Sequence, residues 1–205
     1  MGKVAADISM SLDGCITGPN DGVERPLGVG GERLHEWVYD LASWRERHGL
    51  AGGQANRDAE VLEEAFENLG AVVMGRRMFD VGERPWGDTP PFQVPVFVVT
   101  HHAREPLVKE GGTTFTFVTA GPASALAQAR FAAGDNDVSV AGGAAIIQEL
   151  LRAGQLDEIQ VHLVPILLGE GRKLFEHLDA DTVQLEQTRV VESSGVAHLR
   201  YRVVR

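Results

Sequence analysis

The sequence has a single cysteine, Cys15, among 205 residues, so no disulfide can form within the chain. That suits a reducing compartment, and a cytoplasmic location is expected. No apolar run approaches the roughly 20 residues of a membrane-spanning helix, so no membrane association is expected. The opening MGKVAADISMSLDG has no secretory-leader pattern. It begins Met-Gly, but Ala6 stands where a myristoylation motif needs Ser or Thr. Basic residues are few: 19 Lys plus Arg stand against 29 Asp plus Glu, a formal charge of −10. Such a chain is a poor default partner for nucleic acid, so any phosphate must be held by local features. Cys/His clusters with zinc spacing are also missing, and no metal is expected. Internal repeats and linker-like stretches are absent, and the length suits one domain over residues 1–205.

What is present is an alternation of two periodicities. VAADISMS (4–11), AVVMG (71–75), VPVFVVT (94–100), TTFTFVT (113–119) and DVSVA (137–141) read as strands. LDEIQVHLVPILLG (156–169) reads as a long strand whose Pro165 suggests an edge or a bulge. Between them, Leu34, Trp37, Val38, Leu41 and Trp44 recur at helical spacing, as do Val61, Leu62, Ala65, Phe66 and Leu69, with Gly70 as the C-terminal cap. RRMFDVG predicts a short helix or turn, and helices are expected over GPASALAQARFAAG and GAAIIQELLRAG. The tail TVQLEQTRVVE–SSG–VAHLRYRVVR predicts a hairpin. This order implies an α/β fold with a mixed, mostly parallel sheet and a C-terminal antiparallel hairpin at one edge.

Ligands of open α/β sheets gather at the carboxyl ends of strands, and three such ends carry unusual residues. VAGGAA places Gly142 and Gly143 between a strand and a helix. They either make a tight turn or let an anion reach the free N–H groups of the helix. The spacing is not the G-x-G-x-x-G of dinucleotide folds. MGRRMF places Arg76 and Arg77 after Gly75, as a bidentate phosphate clamp or a solvated basic pair. VVTHHAR adds Thr100, His101, His102 and Arg104, which also read as an ordinary polar loop. Among acids, Asp13 in SLDG follows the first strand and suits a turn before Gly14. Glu36 and Asp40 lie one turn apart on a helix, either on a solvated face or, if that helix lines a cleft, beside Trp37. The Gly/Pro-rich stretch 12–31 is long enough to act as a lid.

KVAADISMSLDGCITG, VVMGRRMFDVG, VPVFVVTH and VSVAGGAAIIQELLRAGQLDEIQVHLVPILLGEGRKLFEHL together resemble the dihydrofolate reductase superfamily. SLDG points to the branch holding the reductase domain of riboflavin-biosynthesis deaminase-reductases, here expected in a free-standing form. The resemblance implies a three-layer fold with helices on both sheet faces, an NADPH cofactor and, commonly, a homodimer. It implies Ala6, Ile16 and Gly18 beside the nicotinamide, and Gly75, Arg76 and Arg77 at phosphates. Thr100 and His101 would lie by the adenosine, and Gly142, Gly143, Ala144 and Ala145 at the pyrophosphate. Asp13 would lie near the reacting carbon, with Glu36 and Asp40 as further candidate acids and Trp37 walling the substrate. Many relatives carry a third glycine where this chain has Ala144. The expected activity is hydride transfer from NADPH to a small C=N or C=O compound, most like 5-amino-6-(5-phosphoribosylamino)uracil. Dihydrofolate or another small molecule is the alternative substrate, and a nucleotide- or flavin-binding module without turnover is the alternative class.

Overall fold

The computed structural model describes residues 2–176, 178 and 183–204. In chain order its strands are β1 (Val4–Ser11), β2 (Cys15–Thr17), β3 (Leu69–Gly75), β4 (Pro95–Val99), β5 (Leu107–Val108), β6 (Thr114–Val118), β7 (Asp137–Gly142), β8 (Glu158–Val164), β9 (Arg172–Lys173), β10 (Gln184–Ser193) and β11 (Val196–Val204). The helices are α1 (Glu36–Tyr39), α2 (Ala42–Arg47), α3 (Arg57–Glu67), α4 (Arg76–Trp86), α5 (Pro122–Ala133) and α6 (Ala144–Arg152). Nine strands form one sheet in the order β10-β11-β8-β1-β7-β3-β4-β6-β5. From β8 to β6 every pairing is parallel, whereas β10, β11 and β5 join antiparallel. The mostly parallel sheet with its closing hairpin is as the sequence implies. The hairpin's expected outer ends, Thr182 and Arg205, lie outside the described residues.

Side-chain alternation along the central strands builds two cores, one per face. Ala71 and Val73 of β3 join Leu126 of α5 and Ile147 of α6 on one side. Val72 and Met74 join Phe79 of α4 on the other. Phe79 is fully buried against the rings of Phe115 and Phe117, 5.1 and 5.0 Å away. Removing such a core aromatic typically costs about 3–5 kcal/mol, so the first turn of α4 is firmly seated. That turn carries Arg76 and Arg77.

Several element boundaries differ from expectation. The helical periodicity of 34–44 is split into a 3-10 turn (Gly31–Leu34), α1 and α2. Leu34 packs with Val164 and Val196, whereas Val38 and Leu41 pack with Ala59 of α3, so the chain must turn to serve two clusters. Gly70 is not a cap; it lies inside β3, where an added Cβ would sit 2.8 Å from that of Ala133. β8 ends at Val164, and it is a central strand between β1 and β11 rather than an edge. Pro165 terminates it, having no N–H for the ladder. Conversely α4 runs on to Trp86, with Pro85 in its last turn.

Candidate active site

The carboxyl ends of β1, β7 and β8 and the start of α4 open on a cavity of about 350 Å³. A larger open cleft of about 770 Å³ lies between α2 and α3, but Glu46, Glu60, Glu63, Glu64 and Glu67 line it and would repel phosphate. The smaller cavity is bordered by two of the three marked strand ends, through Arg77 and Met78 and through Ala141 and Gly143.

Its glycine wall is close-packed. β3 and β7 are neighbours, with Met74 opposite Gly142. A Cβ on Gly75 would lie 3.2 Å from Ile146 and 3.6 Å from the Gly143 nitrogen. Gly142 holds φ 116°, a value that L side chains rarely adopt, and a cis peptide joins it to Gly143. Gly143 is different: its backbone is extended, and a Cβ there meets nothing within 4 Å. It is the N-cap of α6 and supplies no side-chain hydrogen bond to the helix. Ala144 is half-buried and packs against the core, while Ala145 is exposed. The methyl of Ala144 therefore replaces a third glycine where core contact is available.

The two arginines part company. Arg76 pairs with Asp80 one turn along α4, at 2.6 Å. Arg77 lines the cavity and binds Asp21, donating to its carboxylate at 2.8 Å and also to its carbonyl. Arg172 donates to the same carboxylate at 2.9 Å. Burial alone would raise the Asp21 carboxyl, but hydrogen bonds from Arg77 and Arg172 hold it below the usual carboxylate range. The 12–31 loop is thereby clipped over the cavity mouth. Gly18 serves that loop's packing, since a Cβ there would collide with the Val29 carbonyl, and Ile16 lines the cavity from inside the core. Thr100 is buried at the end of β4, where its Oγ1 accepts from the His102 nitrogen at 3.1 Å. His101 and His102 are exposed, and neither Thr100 nor His101 borders the cavity.

The expected acids lie elsewhere. Asp13 accepts hydrogen bonds from Ser11 Oγ at 2.6 Å and from the Leu168 and Gly169 nitrogens at 3.2 and 2.7 Å. The Ser11 hydroxyl first, then these two N–H groups, lower its carboxyl to about 2. It stays ionised at neutral pH, ties the SLDG turn to the 168–169 turn, and does not border the cavity. Glu36 and Asp40 are exposed and also outside the lining, while Trp37 and Val38 between them, and His35 just before, face in. Ala6 is fully buried among the α5- and α6-facing residues of β1. Its neighbours Asp7, Ile8 and Ser9 border the cavity instead.

Asp7 belongs to a polar layer that the motifs did not reveal. Register sets Asp7 beside Gln160 and Arg200, and Ser9 beside His162 and His198. Asp7 Oδ1 meets His162 Nε2 at 2.7 Å, His162 Nδ1 meets His198 Nδ1 at 2.6 Å, and His198 Nε2 meets Asp58 Oδ1 at 3.0 Å. Gln160 donates to the second Asp7 oxygen at 3.1 Å, and Ser193 to the second Asp58 oxygen at 2.9 Å. Trp37 covers both imidazoles, with ring centroids 4.6 and 5.0 Å away, and its Nε1 donates to Ser9 Oγ at 3.1 Å. His35 also lines the cavity, and its buried Nδ1 has no hydrogen-bond partner. Burial, reinforced by His162, lowers the His35 imidazole to about 4, so it is neutral at pH 7. The only hint in the sequence was polar residues at period two in DIS, QVH and HLR.

A putative riboflavin-biosynthesis protein from Shewanella sp. PV-4 superposes with TM-score 0.69 at 22% identity, covering 100% of both chains. A diaminohydroxyphosphoribosylaminopyrimidine deaminase/5-amino-6-(5-phosphoribosylamino)uracil reductase from Thermotoga maritima gives 0.62 at 14% identity, covering 99% of this chain and 57% of that one. Enterococcus faecalis dihydrofolate reductase, complexed with NADP(H) and RAB-propyl, gives 0.58 at 15% identity, covering 98% and 96%. These likenesses fix the fold as dihydrofolate reductase-like. A comparison with curated protein sequences finds no match. The model of the RibD C-terminal domain, however, matches residues 2–199, and the chain belongs to that family.

Proposed function

We propose that this protein is an NADPH-dependent reductase of a small heterocycle with a polarised C=N or C=O bond, most like the ribosylaminouracil reductase of riboflavin biosynthesis. One observation carries the reading: the Gly142–Gly143 end of β7 leaves open space at the uncapped N-terminus of α6, at the rim of the cavity. Free N–H groups and the positive end of the helix dipole suit a pyrophosphate there. A dinucleotide running from the cavity across the ends of β7, β3 and β4 would pass Gly75, Arg76 and Arg77, then Thr100 and His101. When bound, the reduced nicotinamide supplies the hydride.

The chain's own residues do the remainder. Ile8, Ile16 and Trp37 give the cavity apolar walls that exclude water. Asp7 and Ser9 offer polar contacts to a heterocycle, and the neutral His35 ring forms part of the wall. Asp13 acts on the site through the two turns it joins.

The test is NADPH oxidation by the purified protein with the ribosylaminouracil, dihydrofolate and small carbonyl compounds as separate substrates. The expected result is turnover on the ribosylaminouracil above the others. Turnover on dihydrofolate alone would move the substrate assignment. Saturable NADPH binding without turnover on any of them would replace the enzyme with a binding module.

A further inference from the structure

We infer that Asp7, His162, His198 and Asp58 form a built-in proton store that opens into the cavity at Asp7, the His162–His198 pair holding one proton more than two neutral rings. The use assigned to it below rests on the reductase reading; the stored proton does not.

The argument is a proton count. The Asp7–His162, His162–His198 and His198–Asp58 contacts are all at hydrogen-bond distance. Each needs one proton between its heavy atoms. Two neutral imidazoles bring one ring proton apiece, which leaves one contact unsupplied. A buried polar contact without its proton sets two lone pairs against each other, which a packed interior does not tolerate cheaply. The chain of contacts therefore holds one proton more than two neutral histidines and two carboxylates.

That proton goes to the strongest base with a partner on each side. Imidazole outcompetes carboxylate by roughly two to three pH units in reference compounds. Asp7 and Asp58 each also accept a second hydrogen bond, from Gln160 and Ser193. The two imidazoles share the Nδ1–Nδ1 contact at 2.6 Å, and His162 is the ring that reaches Asp7, so the extra proton belongs to the pair and leaves it through His162. The charged and titratable groups facing the pair come from every side: Asp7 on β1, Asp58 on α3, His35 beside α1 and, through Gln160, Arg200 with its partner Glu64. Trp37 packs over both rings, which are buried.

Asp7 is the outlet, because its side chain is 29% exposed while that of His162 is 4%. In the reduction of a C=N bond, the carbon takes a hydride from the reduced nicotinamide and the π pair moves to nitrogen. His162 Nε2 passes its proton to the Asp7 carboxylate, which hands it on to that nitrogen and is left ionised again. The histidine pair is left neutral, and water returns the proton through Asp7 after product leaves. Asp7 is then the catalytic acid, and His162, His198 and Asp58 position and supply its proton.

The test is long-range proton–nitrogen NMR of the chain labelled with ¹⁵N-histidine at neutral pH. The expected result is three protons on the four ring nitrogens of His162 and His198, with the shared one far downfield. Two neutral rings would overturn the store, whatever the activity. Asp7→Asn should remove the imidazolium signature and lower kcat roughly 100-fold or more while NADPH affinity is kept. An unchanged kcat in a reductase with the signature intact would deny the store its outlet. The imidazolium signature without any NADPH oxidation would defeat the reductase reading and leave the store standing.

Discussion

At the scale of single residues, two side chains couple stability to pH in separate windows. His35 is lowered from 6.5 to about 4 by burial. The unfolded chain therefore binds the extra proton between those values, and stability falls as pH drops through that window. Asp13 is lowered from 3.8 to about 2, chiefly by the Ser11 hydroxyl. Its contribution is complete above the unfolded value and is lost as pH falls toward 2. Thermal melting across pH should show both slopes, with His35→Asn flattening the upper one and Asp13→Asn the lower. A variant that leaves its slope unchanged would remove that residue from the account. The residue scale is also where the sequence was hardest to read. Ala6 and Asp7 are adjacent, yet strand alternation sends one into the core and the other to the cavity. The motif alone did not fix that phase, and Asp7, His162, His198 and Asp58 are distant in sequence.

At the scale of elements, the three marked strand ends were legible and do lie along one edge of the sheet, but their side chains are not equivalent. Gly75 and Gly142 are needed by the backbone itself, one for close packing and one for a positive φ. Gly143 is needed by neither, which makes it the informative position. Gly143→Ala should leave the melting temperature nearly unchanged and weaken NADPH at least tenfold, because the new methyl occupies the space beside the α6 N-terminus. Unchanged affinity would make the glycine pair a turn and nothing more. The helical periodicity of 34–44 was legible as spacing but not as three short pieces, since spacing does not show that Leu34 and Val38 serve different clusters. The exposed Glu36 and Asp40 follow from that break, which turns Trp37 and His35 inward.

At the scale of the whole molecule, an acidic chain carrying a formal charge of −10 would hold the proposed polyanionic cofactor by local means. The strand order brings those means together: glycines at β7 and β3, arginines at the start of α4, and a cavity that reaches back to β8. Among the described residues, no helix is long and apolar enough to cross a membrane. The most direct measurement is equilibrium binding of NADPH and of NADH to the wild-type chain and to the Arg76→Ala/Arg77→Ala variant. The account predicts one NADPH per chain, quenching of tryptophan fluorescence by contact at Trp37, and a loss of roughly ten- to hundredfold for NADPH in the variant. NADH, which lacks the 2′-phosphate, should lose far less. Equal loss of both would contradict the arginine assignment, and no saturable binding of NADPH to the wild-type chain would contradict the account as a whole.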